Sequence, residues 1–512
     1  MISRRRFIKG VVGTAAALAT RSSAAVTPPP PNIILILADD IGYGDVGWYG
    51  AQKVKTPNID RLGREGVKFT DAHSTASVCT PTRYSIMTGE YAWRNPDGDH
   101  ILSGVDPCSI NPARPTIASV LKDANYTTGL VGKWHLGLGT KEKPVDYNGE
   151  ISPGPADLGF DYAFYYPATN DRVPCVYIEN RRVVGLDPAD PIRVSYGDKV
   201  GDDPTGADHP ELLKMKADPS HSKTIVNGIS RIGYMAGGKS ARWVDEDMAD
   251  TLTTKAVHFI EQNRRGPFFL YFSPHDIHEP MAPHPRFKGT SECGTRGDAI
   301  HELDWCVGQI LDGVDRFARN TLVIFTSDNG GAIKNTYDDG TNPLHALQPP
   351  NGPLRGDKGG LYEGGHRVPF LARFPGRIEK GTKSDQTIGL VDLMATCTAV
   401  PGHKLPDNAG PDSFNALPAL EGKDTPVRDH LLLQQNGHAR LAIRQAQWKY
   451  IEPAKKQGNA AASAVPGELY DLANDLAESK NVAAANPEVV VRMAGLLDLA
   501  RSGPRTRTVS PK

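Results

Sequence analysis

Two adjacent carboxylates, Asp39-Asp40, follow the apolar run Asn32–Ala38, and a second oxygen-bearing pair, Asp328-Asn329, follows the apolar run Thr321–Ser327. Side-by-side carboxylates repel unless a cation lies between them, so both pairs are candidate metal ligands. Oxygen donors without thiolate or imidazole suit Ca²⁺ or Mg²⁺ better than Zn²⁺. A third stretch runs Val78-Cys79-Thr80-Pro81-Thr82-Arg83-Tyr84-Ser85-Ile86-Met87-Thr88-Gly89. Pro81 presets φ for the first turn of a helix, Cys79 stands at its amino end, and Arg83 lies one turn on toward the same pocket. An oxygen nucleophile built there would be stabilised by the helix dipole and a guanidinium. Lys133 and His135 are two apart in Gly132-Lys133-Trp134-His135-Leu136-Gly137, so an extended backbone sends both side chains to one face. His275 and His278 share the segment Pro274-His275-Asp276-Ile277-His278-Glu279-Pro280. Lys358 supplies a mobile cation within Leu354-Arg355-Gly356-Asp357-Lys358-Gly359-Gly360-Leu361-Tyr362-Glu363-Gly364-Gly365-His366-Arg367-Val368-Pro369, whose glycines let backbone approach a ligand closely.

The elements that must hold these residues are legible as hydrophobic patterns. Asn32–Ala38 is continuously apolar and too short for a helix, which describes a central strand buried on both faces. Residues 126–131, 267–273, 321–327 and 370–374 read as further strands, and most of the chemistry follows a strand's carboxyl end, where α/β sheets place ligands. Helices are expected at 245–263 and 298–317, the second carrying Cys306 in its buried stripe. Pro57 opens another helix with Asn58 as the cap and Gly66 as the stop. From about 141 to 242 the chain is irregular and rich in Pro, Gly and Asp, a loop region expected over one face of the sheet and a carrier of substrate selectivity. Arg172 is a candidate anion contact there. After residue 424 short antiparallel strands and a closing helix near 487–501 suggest a smaller unit.

Cys79-x-Pro81-x-Arg83 with Thr88-Gly89 resembles the signature of the formylglycine-dependent type I sulfatases, of the arylsulfatase and N-acetylgalactosamine-6-sulfatase kind. The Lys133 and His135 segment, the Pro-His-x-x-His-x-Pro loop and the Lys358 to Pro369 segment are similar to that family's motifs, in its order, over roughly residues 32–481. Thr82 departs from a more frequent Ser and keeps the hydroxyl. The resemblance implies an alkaline phosphatase-like α/β fold, a mixed sheet sandwiched between helices with a smaller C-terminal α+β unit on a short antiparallel sheet. It also implies oxidation of Cys79 to an aldehyde by a formylglycine-generating or anaerobic sulfatase-maturating enzyme. Ca²⁺, with Mg²⁺ as the alternative, would be held by Asp39, Asp40, Asp328 and Asn329, the modified Cys79 completing the shell. In that scheme the hydrated aldehyde attacks sulfur while Arg83, Lys133 and Lys358 neutralise the sulfate oxygens. His275 and Lys358 protonate the departing alcohol, and His135 takes the proton that lets sulfate leave. His278, His366 and Arg172 are the candidate substrate contacts. The expected substrate is a sulfated carbohydrate, with aryl sulfates as surrogates. A phosphomonoesterase or phosphonate hydrolase on the same fold, and an inactive glycan-binding homologue, are the alternative readings.

Length and charge bound the rest. The 512 residues suit one large and one small unit, read as a catalytic domain over 32–424 and a C-terminal domain over 425–512. Lys+Arg of 58 against Asp+Glu of 59 leaves no field of the kind that binds nucleic acid. Ser3-Arg4-Arg5-Arg6-Phe7-Ile8-Lys9, a weak apolar run and small residues near Ala25 read as a twin-arginine signal peptide over 1–25, joined by a Pro-rich linker over 26–31. That implies the twin-arginine translocase, a periplasmic or secreted product and no stable membrane anchor. Of six cysteines five remain if Cys79 is modified, so no disulfide framework is indicated, although Cys108 and Cys175 could pair.

Overall fold

The computed structural model describes residues 30–437, 440–454 and 467–508. The expected signal peptide over 1–25 and residues 26–29 of the expected linker lie outside them. A ten-stranded mixed sheet organises the chain. Its strands are β1 (Asn32–Ala38), β2 (Val67–Phe69), β3 (Thr127–Lys133), β4 (Tyr162–Tyr166), β5 (Ile178–Glu179), β6 (Arg182–Val183), β7 (Phe268–Ser273), β8 (Thr321–Ser327), β9 (Phe370–Arg373) and β10 (Thr382–Ser384). Their order across the sheet is β10-β2-β9-β8-β1-β7-β3-β4-β5-β6. The five central strands β8-β1-β7-β3-β4 are parallel.

All seven residues of β1 are buried, as a strand covered on both faces must be. Each fully buried Ile or Leu in it contributes roughly 1.5–3 kcal/mol of transfer free energy. Two groups of helices in mutual contact cover the sheet. One comprises α1 (Pro57–Glu65), α4 (Met248–Gln262) and α5 (Gly294–Phe317); the other comprises α2 (Cys79–Thr88), α3 (Ile117–Asp123) and α7 (Leu393–Ala399). Between α5 and α7 in sequence lies the one-turn α6 (Glu363–His366). Cys306 is buried in α5, as its spacing predicts. All six cysteines are free thiols, so Cys108 and Cys175 do not pair.

Two local expectations change. Thr56, not Asn58, occupies the cap position of α1, and its side chain makes no capping bond. Asp304 of α5 does that work from outside, accepting from Asn58 N at 3.0 Å and Ile59 N at 2.8 Å, because the N–H groups of a covered first turn need an acceptor but not a local one. The irregular 141–242 region is not only loop: β5 and β6 extend the main sheet by antiparallel pairing.

Beyond residue 424 an antiparallel meander forms from β11 (Leu431–Gln434), β12 (Leu441–Gln445), β13 (Trp448–Ile451) and β14 (Glu468–Asp471). Helix α8 (Pro487–Ser502) packs on β12 and β13. This sheet has its own apolar cluster, which includes Leu432, Ile443, Leu469 and Met493 and draws in Tyr91 and Leu361 from the larger unit. Among the described residues no helix is long and apolar enough to cross a membrane.

Candidate active site

Four neighbouring parallel strands end at one edge and set the site. β8 delivers Asp328 and Asn329, β1 delivers Asp39 and Asp40, β7 leads to His275, and β3 carries Lys133 and leads to His135. The register brings Ala38 beside Ser327 and Gly132 beside Ser273, so the side chains that follow converge without a long loop. Asp40 and His135 both adopt left-handed backbone, φ 64° and 56°. His135 therefore does not share an extended face with Lys133; the turn sends its ring to Leu102 O, 2.8 Å from Nε2.

Helix α2 closes the pocket from the side. All ten of its residues are buried, and Cys79 is its first residue, after Val78 in extended conformation. Thr82 Oγ1 donates to Ala76 O at 2.8 Å, and Thr80 Oγ1 to His135 O at 3.1 Å, tying the helix start to the sheet edge. Arg83 is fully buried. Its guanidinium donates to Asp328 Oδ2 through Nε at 3.0 Å and Nη2 at 2.7 Å, and to Ser273 Oγ at 2.6 Å. Lys133 Nζ lies 2.6 Å from Asp39 Oδ2, and Lys358 Nζ lies 2.8 Å from the Asp40 carboxylate. Asn329 Nδ2 donates to Asp40 Oδ1 at 2.7 Å. Three carboxylates thus meet three cations.

Burial and the Asp39 charge push Asp328 up to about 6. Burial also pushes Asp40 up, but Lys358, His278 and the Lys358 and Asn329 hydrogen bonds outweigh it and hold Asp40 below the usual carboxylate range. Burial and then Lys133 drive His135 well below its ordinary value. Burial and His278 take His275 down to about 3, and burial and Lys358 take His278 to about 4. The three imidazoles are therefore neutral at physiological pH, each with one proton to give or one lone pair to offer.

A hard cation fits this donor set. Asp39 Oδ1 and Asn329 Oδ1 are buried without a hydrogen-bond partner, an expensive arrangement unless something else coordinates them. Asp39, Asp40 and His278 bring ligand atoms within 4.8 Å of one another, so an imidazole stands beside the oxygen pair that sequence alone presented as carboxylate only. His135 Nδ1 and His275 Nδ1 are likewise buried and unpartnered. A cavity of about 140 Å³ opens beside Asp40, walled also by Lys358, Lys334, Arg296, Glu279 and Met281. A larger cavity of about 540 Å³ lies at the opposite end of the sheet against Arg61, Asp315 and Arg373 and holds none of these groups.

Arg172 lies close enough to His135 for its charge to help lower the imidazole's value. Sequence reading missed its partners. Arg172 Nη1 donates to Asp171 Oδ1 at 3.0 Å, and His221 Nε2 lies 3.4 Å from Asp171 Oδ2. Asp171 and His221 are buried, yet an Asp-Arg pair in a polar loop looks like any solvated turn, so no local signal marked them. His366 is not in this pocket. It is the buried last residue of α6, with Nδ1 3.0 Å from His73 Nδ1 and Nε2 bonded to Leu361 O and Lys449, which leaves no atom for a substrate.

Comparison with known proteins agrees with the geometry. The Sulfatase family profile matches residues 31–402, and the profile of the N-sulphoglucosamine sulphohydrolase C-terminal region matches residues 356–497. An N-acetylgalactosamine-6-O-sulfatase of Bacteroides thetaiotaomicron is 47% identical over 479 residues, 91% of this chain and 92% of that protein. Human steryl-sulfatase is 33% identical over 416 residues, 76% of this chain and 69% of that protein. A solved structure from work on the metabolism of multiple glycosaminoglycans by Bacteroides thetaiotaomicron superposes with a TM-score of 0.89 at 46% identity, covering 93% of this chain and all of that one. A strand-end carboxylate pair, a cysteine opening a buried helix and sulfatase relatives along nearly the whole length lead to one conclusion: this chain belongs to the sulfatase family and is a sulfuric ester hydrolase.

Proposed function

We propose that the protein removes sulfate from sulfated carbohydrates, with 6-sulfated N-acetylgalactosamine as the substrate class, using an aldehyde made from Cys79. The observation that carries this reading is the position of Cys79 as the first residue of the wholly buried helix α2, with Arg83 one turn on in the same helix. The sugar class rests on the 47% identity to a sulfatase named for that substrate. A maturation enzyme acting on Cys79, export through the twin-arginine translocase to the periplasm or beyond, and a division into units at residue 424 belong to the same proposal.

Asp39, Asp40, Asp328 and Asn329 would hold Ca²⁺, which supplies fixed positive charge against the sulfate oxygens. The aldehyde, when hydrated, supplies an oxygen nucleophile and a way to regenerate. The remaining work belongs to side chains. Lys358 holds the Asp40 carboxylate ionised and shares with His275 the protonation of the departing alcohol, while Lys133, hydrogen-bonded to Asp39, adds positive charge beside the pair. Arg83 holds Asp328 in one orientation. His275 Nε2 faces Asp276 Oδ1 at 3.3 Å, and burial with the Glu302 charge pushes Asp276 well above the ordinary carboxylate value. A protonated Asp276 donates to Nε2, which places the ring proton of His275 on Nδ1, the unpartnered atom, where it can pass to a departing alcohol. His135, neutral and with a free Nδ1, accepts the proton of the regenerating step.

The test combines mass spectrometry with turnover. The matured protein should carry an aldehyde at position 79, react there with a hydrazide rather than an alkylating agent, and cleave 6-sulfated N-acetylgalactosamine and aryl sulfates far faster than aryl phosphates. Cys79→Ala should lose turnover. Full activity with an intact Cys79 thiol overturns the aldehyde, and preference for the phosphate overturns the substrate class.

A further inference from the structure

We propose that Lys449 and Glu478, both in the C-terminal unit, are positioning residues for the reaction, acting through α6 on Lys358. The proposal rests on the catalytic part given to Lys358 above. A one-turn helix has no stability of its own, so what holds α6 decides where its neighbours sit. Lys449 Nζ lies 3.0 Å from Glu363 Oε1 and 2.8 Å from Glu478 Oε1. Glu363 N donates to Glu478 Oε2 at 2.6 Å. All three residues are fully buried.

From Glu363 the coupling passes through backbone packed without side chains. A Cβ on Gly364 would lie 2.3 Å from Gly356 O, one on Gly365 2.3 Å from Gly360 O, and one on Gly330 1.8 Å from Gly364 O. Helix α6 is therefore wedged against both the 356–360 loop that carries Lys358 and the loop that follows Asp328 and Asn329, whose Gly330 N donates to Gly365 O of α6 at 3.0 Å. Each flank of Lys358 is anchored to the same unit. Arg355 Nη1 donates to Glu478 O at 2.7 Å. On the other side Gly359 N donates to Ser77 O at 2.8 Å, and Ser77 N to Gln434 O of β11 at 3.0 Å. An apolar contact would hold the two units together as firmly, but it would not set one orientation; a buried, directional charge triad does. Without Lys449, Glu478 loses its cation and faces the Glu363 carboxylate, which keeps Arg367 Nε at 2.5 Å, so the two carboxylates must move apart, carrying the Lys358 loop with them.

A double-mutant cycle read with aryl sulfates of graded leaving-group acidity tests this. Lys449→Met should lower kcat/KM by up to about 100-fold for the poorest leaving group and progressively less for better ones, the pattern of a displaced proton donor. In a Lys358→Ala background the same substitution should change kcat/KM by less than about twofold, and Lys449→Arg should recover most of the loss. Where Lys449→Met does not fold, Glu478→Gln keeps the acceptor for Glu363 N, removes the charge and is read by the same criteria. Equal losses in both backgrounds, or a loss independent of leaving group, overturn the proposal alone. Wild-type turnover by Lys358→Ala overturns the part given to Lys358 and this proposal with it.

Discussion

Arg83 grips Asp328 through two nitrogens on one oxygen, Nε at 3.0 Å and Nη2 at 2.7 Å from Oδ2, which leaves Oδ1 facing the Asp40 amide at 3.4 Å. The guanidinium one helical turn after Cys79 is thus committed to orienting the Asp328 carboxylate. Arg83→Met would leave Asp328 buried and unpaired, and a denaturant titration should show a loss of about 3–5 kcal/mol. Arg83→Lys should retain part of the stability and lose turnover, because an ammonium cannot reproduce the fork.

Removing divalent cations should stop turnover and lower the melting temperature reversibly. Readdition of Ca²⁺ at a thousandfold excess over its dissociation constant should restore about 4 kcal/mol of stability, with Mg²⁺ restoring less. Asp40→Asn should weaken that recovery in a calorimetric titration. Recovery unaffected by Asp40→Asn would place the cation elsewhere.

Glu302 ties stability to pH. Burial pushes its carboxyl from the ordinary 4.5 up to about 8. Between those values the folded protein keeps a proton that the unfolded chain releases, so the associated stability is complete below about pH 4.5 and is lost as pH rises toward 8. Glu302→Gln keeps an acceptor for His284 N, now bonded at 3.0 Å. Melting curves of wild type and variant should diverge from pH 5 to pH 8, the wild type falling more steeply.

Asp171, Arg172 and His221 form a charged, mostly buried group beside the pocket without touching the carboxylate pair. As a reader of sugar hydroxyls it should matter for glycans and not for small esters. Asp171→Asn and His221→Ala should raise KM for a sulfated disaccharide by about 10- to 100-fold while kcat/KM for an aryl sulfate stays close to wild type.

The sequence by itself determined five of the ten strands of the main sheet, the oxygen-bearing pairs at the ends of two of them and the cysteine that opens α2, because burial is written locally: Asn32–Ala38 is apolar at every step, and Pro81 with Gly89 brackets a helix. It also carried enough family motifs, in order, to expect the fold. Only the tertiary structure decided the pairings. Arg83 chose Asp328 across 245 residues, Lys133 chose Asp39, Asp304 capped a distant helix, and His366 went to the interface with the C-terminal sheet instead of the pocket. Periodicity records which face of an element is dry, whereas the partner of a buried charge depends on which strands become neighbours, and that order is set by the packing of the whole sheet.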